Sequence, residues 1–137
     1  MVLVDTSVWI RFLAGREPFA SGLDEVLGRD EAVGHEMVFG ELLIGEVGGG
    51  RRNLLEAYTQ MYQAQTVAHQ EVVEFVRERR LFGRGVGWID VNILASALVG
   101  GFQVWTADPR FLMLANELRV AYSPAGGLFT NTKEQPI

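Results

Sequence analysis

Four carboxylates, Asp5, Glu41, Asp90 and Asp108, stand in surroundings that call for an explanation. Asp5 ends the uniformly apolar run Val2-Leu3-Val4 and is followed at once by Thr6-Ser7. Glu41, in HEMVFGELLIG, has Met37, Val38, Ile44 and Gly45 three and four residues away, so on a helix it falls on the apolar stripe. Asp90, in GWIDVNILASAL, is surrounded by Trp88, Ile89, Ile93, Leu94 and Ala97, and Asp108 closes the segment VWTAD. A lone buried carboxylate is costly unless it is paired or bound to a metal, and no lysine or arginine lies within a helical turn of Glu41. If the four converge, each pair at about 5 Å repels by roughly 3 kcal/mol at an effective dielectric near 20. Only a cation or shared protons would make that tolerable. An all-oxygen donor set with no cysteine points to Mg²⁺ or Mn²⁺ rather than zinc, and such an ion at the end of a sheet suits phosphoryl chemistry.

Each residue also has a purely structural reading. Asp108 precedes Pro109, the usual N-cap and first-position pair of a helix. Asp5 or Ser7 can cap the helix that follows, and Asp90 sits where a helix dipole favours negative charge. His35 and His69 stand at helix starts and read as caps or surface residues. Asn92, two positions beyond Asp90, does not share its helical face. Gly83, Gly85 and Gly87 follow no strand and so form no dinucleotide fingerprint; a GKS/T phosphate loop is absent. A haloacid-dehalogenase-type phosphatase would need a second aspartate at position 7, where Ser7 stands.

The elements that must position these residues alternate. Strands are expected at 2–4, 32–34, 66–68, 102–106 and 120–122, and helices at 8–13, 21–27, 36–47, 51–63, 69–82, 90–99 and 109–118. The helix over 90–99 is apolar nearly all round, which implies deep burial. Such alternation predicts an α/β fold with a mostly parallel sheet of four to five strands flanked by helices. Ligands in such sheets bind beyond the C-terminal strand ends, where the strand order reverses. Asp5, Thr106 and Asp108 all belong at such ends.

A chain of 137 residues predicts one domain, here 1–130, with a loose polar tail at 131–137. The absence of cysteine excludes disulfides and suits a reducing, cytoplasmic setting. The most continuous apolar stretch, 93–102, is too short to span a bilayer. A net charge of −5 argues against a general polyanion binder, yet it is compatible with a nucleic-acid enzyme carrying a local basic rim. Arg77, Arg79, Arg80 and Arg84 are either that rim or a solvated helix face. Apolar residues plus glycine exceed the share usual in soluble domains, so some belong at an interface with a like subunit or a partner.

Taken in order, VLVDTSVWI, FGELLIG, GVGWIDVNILASAL and VWTADPRF resemble a PIN domain, and within that family the VapC-type toxins of VapBC toxin–antitoxin pairs. The resemblance covers nearly the whole chain. It implies a three-layer α/β/α, Rossmann-like fold and a Mg²⁺- or Mn²⁺-dependent endoribonuclease. Asp5, Glu41, Asp90 and Asp108 match the family's acidic positions, and Ser7 and Thr106 match polar positions that order the cluster and its water. One carboxylate, Asp90 or Glu41, would orient or deprotonate the attacking water. Arg80 and Arg84 would grip the RNA backbone. The expected partners are an RNA substrate, a VapB-type antitoxin and a second copy in a homodimer, with no membrane. Two alternatives keep the same residues: a silent RNA- or protein-binding module, and a metal-dependent nuclease or phosphatase with a non-RNA substrate.

Overall fold

The computed structural model describes residues 1–45 and 51–124, with Arg51 as backbone only. The elements run β1 (Val2–Val4), α1 (Thr6–Leu13), α2 (Phe19–Gly28), β2 (Ala32–Gly34), α3 (Glu36–Ile44), α4 (Arg51–Tyr58), β3 (Tyr62–Gln63), α5 (His69–Arg79), α6 (Trp88–Gly100), β4 (Gln103–Trp105) and α7 (Pro109–Glu117). The strands form one parallel sheet in the order β3-β2-β1-β4. A single parallel bridge from Val104 to Ala121 adds a rudimentary fifth position where a strand at 120–122 was expected. The architecture is the expected three-layer α/β/α.

β1 carries the sheet. Leu3 pairs with Val33 on one side and Val104 on the other, and Val2, Leu3 and Val4 are all buried. A strand covered on both faces needs no alternation of polar and apolar residues. From β1 the chain builds outward to β2 and β3, then returns to lay β4 on the opposite side. The order therefore reverses beside β1, and the crevice beyond its C-terminal end is where Asp5 begins. α6 sits in the core as its composition implies, with Val91 through Ala97 buried without a break.

Three expectations are corrected. The third strand is Tyr62–Gln63, not 66–68. The helix expected over 51–63 stops at Tyr58, because the Gln63 amide donates to the Tyr58 and Met61 carbonyls and Thr59 Oγ1 bonds the Glu56 carbonyl. These side chains satisfy carbonyls that another helical turn would have used. α5 ends at Arg79 rather than 82, since Arg80 turns left-handed (φ 54°) and the Leu81 N–H bonds back to Val76 O at 3.0 Å. The last residues expected in α3, and the tail at 131–137, lie outside the described residues.

Leu3 is fully buried in the strand that both neighbours pair with. Leu3→Ala should therefore cost about 2–5 kcal/mol in denaturant unfolding, with an unchanged m-value.

Candidate active site

Register brings the first two site residues together. Val4 pairs with Trp105, and the Asp5 N–H donates to Trp105 O at 2.9 Å, so Asp5 and Thr106 leave the sheet side by side. Thr106 Oγ1 donates to Asp5 Oδ2 at 2.9 Å, and Ser7 Oγ donates to the same oxygen at 2.7 Å. Ser7 Oγ in turn accepts the Ala107 N–H at 2.9 Å, and Thr106 Oγ1 accepts the Asp108 N–H at 3.1 Å. Asp5 occupies the N-cap position of α1 without a side-chain cap bond. Its carboxylate is turned inward, buried at 4% exposure, and the capping explanation of Asp5 does not hold.

Asp108 does cap. Its Oδ1 accepts the Arg110 N–H at 2.9 Å at the start of α7, with Pro109 as the first helical residue. One oxygen serves the helix, and the other has no hydrogen-bond or ion-pair partner among the described residues.

Glu41 comes from α3, whose start is fixed by His35. The buried His35 ring accepts the Met37 N–H at Nδ1 (3.1 Å), which places its proton on Nε2, 3.0 Å from Ser96 Oγ on α6. Tyr58 Oη accepts the His35 N–H at 2.8 Å. Burial pulls the imidazole's pKa below its usual value, so His35 is a neutral brace and not a ligand. On the half-buried face of α3, Glu41 Oε1 accepts a hydrogen bond from Thr6 Oγ1 at 2.5 Å.

Asp90 enters in the first turn of α6. Its pKa is pushed up to about 6, mainly by desolvation, then by the negative charge of Asp5, with smaller contributions from Asp108 and Glu41; a backbone bond at Gly87 opposes the shift. All four carboxylates thus share one electrostatic neighbourhood, although they come from four separate elements. Among the described residues, no arginine or lysine ion-pairs with any of them. Nor do any three acidic or imidazole side chains among these residues form a ready-made metal cage as they stand. The donor chemistry nevertheless fits a hard divalent cation: carboxylate oxygens only, no thiolate, and a desolvated Asp90 raised by like charges with no cationic partner. Asn92 stays out of the cluster, its amide bonded to Trp88 O at 3.0 Å.

The comparisons agree with this architecture. Residues 2–117 match the family model described as PIN domain. The chain belongs to the PIN-domain family. Within it, the chain is 44% identical over 122 residues to proteins named Ribonuclease VapC32 from two Mycobacterium tuberculosis strains, CDC 1551 / Oshkosh and ATCC 25618 / H37Rv. The alignment covers 88% of this chain and 95% of the relative, which makes this a VapC-type PIN protein. A solved structure, that of PAE2754 from Pyrobaculum aerophilum, shares the fold with a TM-score of 0.59 at 18% identity, covering 98% of this chain and 96% of that one.

The arginines expected at the rim of this PIN domain are placed differently from one another. Arg84 is half-buried and ion-paired to Glu117 at 2.6 Å. Arg80 is exposed at the far end of α5. The ring of His69, at the other end of that helix, lies 5.5 Å from the ring of Trp88, two residues before Asp90. Eleven residues of helix separate that contact from Arg80, about 16 Å along the axis. Two residues near the site escaped the reading of the sequence. Arg110 lies across Gly85, where an added Cβ would come within 2.6 Å of its side chain and where φ is +78°. Thr6 donates to Glu41. Its signal was a second hydroxyl beside Asp5 that no helix cap required.

Asp90 generates a pH prediction. Its native pKa of about 6 lies above the ordinary 3.8, so between these values the native state binds more protons than the unfolded chain. In metal-free protein the charge on Asp90 therefore costs no stability below about 3.8, costs progressively more as pH rises through about 6, and costs a constant amount above that. Asp90→Asn should melt higher than the parent at pH 7.5 in chelator, with the gap closing as pH falls towards 4. Circular dichroism melts across that range would read it; a variant less stable at pH 7.5 would contradict the electrostatic account.

Proposed function

We propose that this PIN-domain protein is a Mg²⁺- or Mn²⁺-dependent endoribonuclease and the toxin of a type II toxin–antitoxin pair. It would act in the cytoplasm as a homodimer restrained by a VapB-type antitoxin. The observation that carries the reading is the gathering at the sheet's switch point of Asp5 and Asp108, linked through Thr106 Oγ1, with Glu41 bonded to Thr6 next to Asp5. The 44%-identical relatives are named ribonucleases, which supports the substrate class.

In this reading Asp5, Glu41, Asp90 and Asp108 hold the ion. When bound, it supplies a Lewis acid at the phosphate and lowers the pKa of a coordinated water. Ser7 and Thr106 fix one oxygen of Asp5 and leave the other to bind. Asp108 is held rigid by its cap bond to Arg110 N. Asp90 or Glu41 would orient or deprotonate the attacking water. Arg80 and Arg84 are the proposed grips for flanking phosphates, and Arg84 would exchange Glu117 for the RNA.

Calorimetric titration of Mn²⁺ into the purified chain tests the site without knowledge of the RNA. The parent should bind and Asp90→Asn should bind at least tenfold more weakly. Beside it, structured RNA, DNA and a small phosphomonoester should be incubated with the chain and Mn²⁺. Cleavage of RNA alone, abolished in Asp90→Asn, is the expected result. Cleavage of DNA or the monoester would redirect the substrate, and RNA binding without cleavage would favour a silent module.

A further inference from the structure

Thr6 and Ser7 are adjacent hydroxyls that serve different carboxylates. Ser7 Oγ turns to Asp5 Oδ2, whereas Thr6 Oγ1 crosses to α3 and donates to Glu41 Oε1 at 2.5 Å. We infer that Thr6 is the positioning residue that holds Glu41 in the metal-binding crevice. The inference rests on the metal-site reading above and deepens it.

Three features carry it. First, Glu41 stands on a short helix whose start is fixed by His35, six residues earlier, and whose Val38 and Leu42 are buried, while Glu41 itself lies on the half-buried face. Its carboxylate hangs on three rotatable bonds, and the Thr6 bond fixes one of its oxygens against the end of β1. Second, Thr6 is the first residue of α1. Inside a helix a threonine hydroxyl is drawn to the carbonyl three or four residues back. Here those positions are Val2 and Leu3, whose carbonyls belong to the sheet, so the hydroxyl is free to reach outward. Third, a hydroxyl orients a carboxylate without neutralising it. A lysine or arginine in the same place would cancel the charge that a divalent cation needs. Oε2 of Glu41 has no hydrogen-bond or ion-pair partner among the described residues and remains to bind.

Mn²⁺ titration into the full-length, metal-free chain tests this directly, with melts in chelator confirming that each variant folds. Thr6→Val keeps the shape and removes the donor, and should weaken Mn²⁺ binding by roughly 10–100-fold, the range found when partners of metal ligands are removed. Thr6→Ser, which keeps the hydroxyl, should restore most of that loss. Thr6→Val combined with Glu41→Gln should bind no more weakly than Glu41→Gln alone, because Thr6 acts only through Glu41. If Thr6→Val fails to fold, Thr6→Ala, which introduces no extra bulk, takes its place in each comparison. A Thr6→Val protein that binds Mn²⁺ like the parent, while Glu41→Gln binds weakly, overturns the inference and leaves the metal site standing. Additive losses in the double variant overturn it equally. If neither Glu41→Gln nor Asp90→Asn alters Mn²⁺ binding, the metal-site reading fails and the role of Thr6 falls with it.

Discussion

One carboxylate oxygen organises the end of the sheet. Asp5 Oδ2 accepts hydrogen bonds from Ser7 on α1 and from Thr106 beyond β4, joining across the switch point two segments that are 99 residues apart. The same two hydroxyls accept the Ala107 and Asp108 N–H groups, so the backbone leaving β4 is shaped by side chains that also hold Asp5. Buried polar groups are tolerated when each finds a partner, and here the partners are shared between the first and fourth strands.

The arrangement places three helix N-termini at the acidic crevice. Asp5 precedes α1, Asp90 lies in the first turn of α6, and Asp108 caps α7. The positive ends of these helices favour carboxylates nearby, each by a fraction of a kcal/mol to about 1 kcal/mol. That is smaller than the mutual repulsion of several carboxylates in one pocket. The elevated pKa of Asp90 fits this: desolvation and neighbouring charge prevail over the opposing backbone bond at Gly87. Glu41 alone lacks a helix terminus, and its place depends instead on the neutral His35 brace and on Thr6.

How far the sequence discloses this depends on whether a feature has a local cause. β1 was legible because an apolar run covered on both faces ends abruptly at an acid. α6 was legible because its apolar residues circle the helix, and α7 because Asp108-Pro109 is a local start signal. β3 was not, since Tyr62 and Gln63 form an exposed two-residue edge strand whose pairing with β2 is a long-range fact. The early end of α5 was equally hidden, because Arg80 adopts a left-handed conformation that glycine usually supplies. Within the site, the types and order of the four acids stood out, and the resemblance pointed to Ser7 and Thr106 as ordering them, but Thr6 and the pairing of each hydroxyl with its carboxylate did not. The hydroxyls of Thr6, Ser7 and Thr106 look alike in sequence, and only register and helix phase assign each to its carboxylate.

The choice of hydroxyls over cationic partners has a physical consequence. Ion pairs would have relieved the repulsion and stabilised the metal-free chain, while reducing the negative charge available to a cation. Hydroxyl and backbone donors instead fix the direction of each carboxylate and leave its charge in place. The chain therefore carries an unrelieved electrostatic strain at Asp90, set against a core in which Leu3, Val4, Trp9 and Ile93 are fully enclosed. Stability sacrificed at a binding site and supplied elsewhere is a common pattern in proteins that act on a ligand. A domain selected only to fold would neutralise Asp90 or replace it, since an asparagine fits the same space without the charge. That the strain persists beside Asp5, Glu41 and Asp108 is the physical argument for the cation site proposed above.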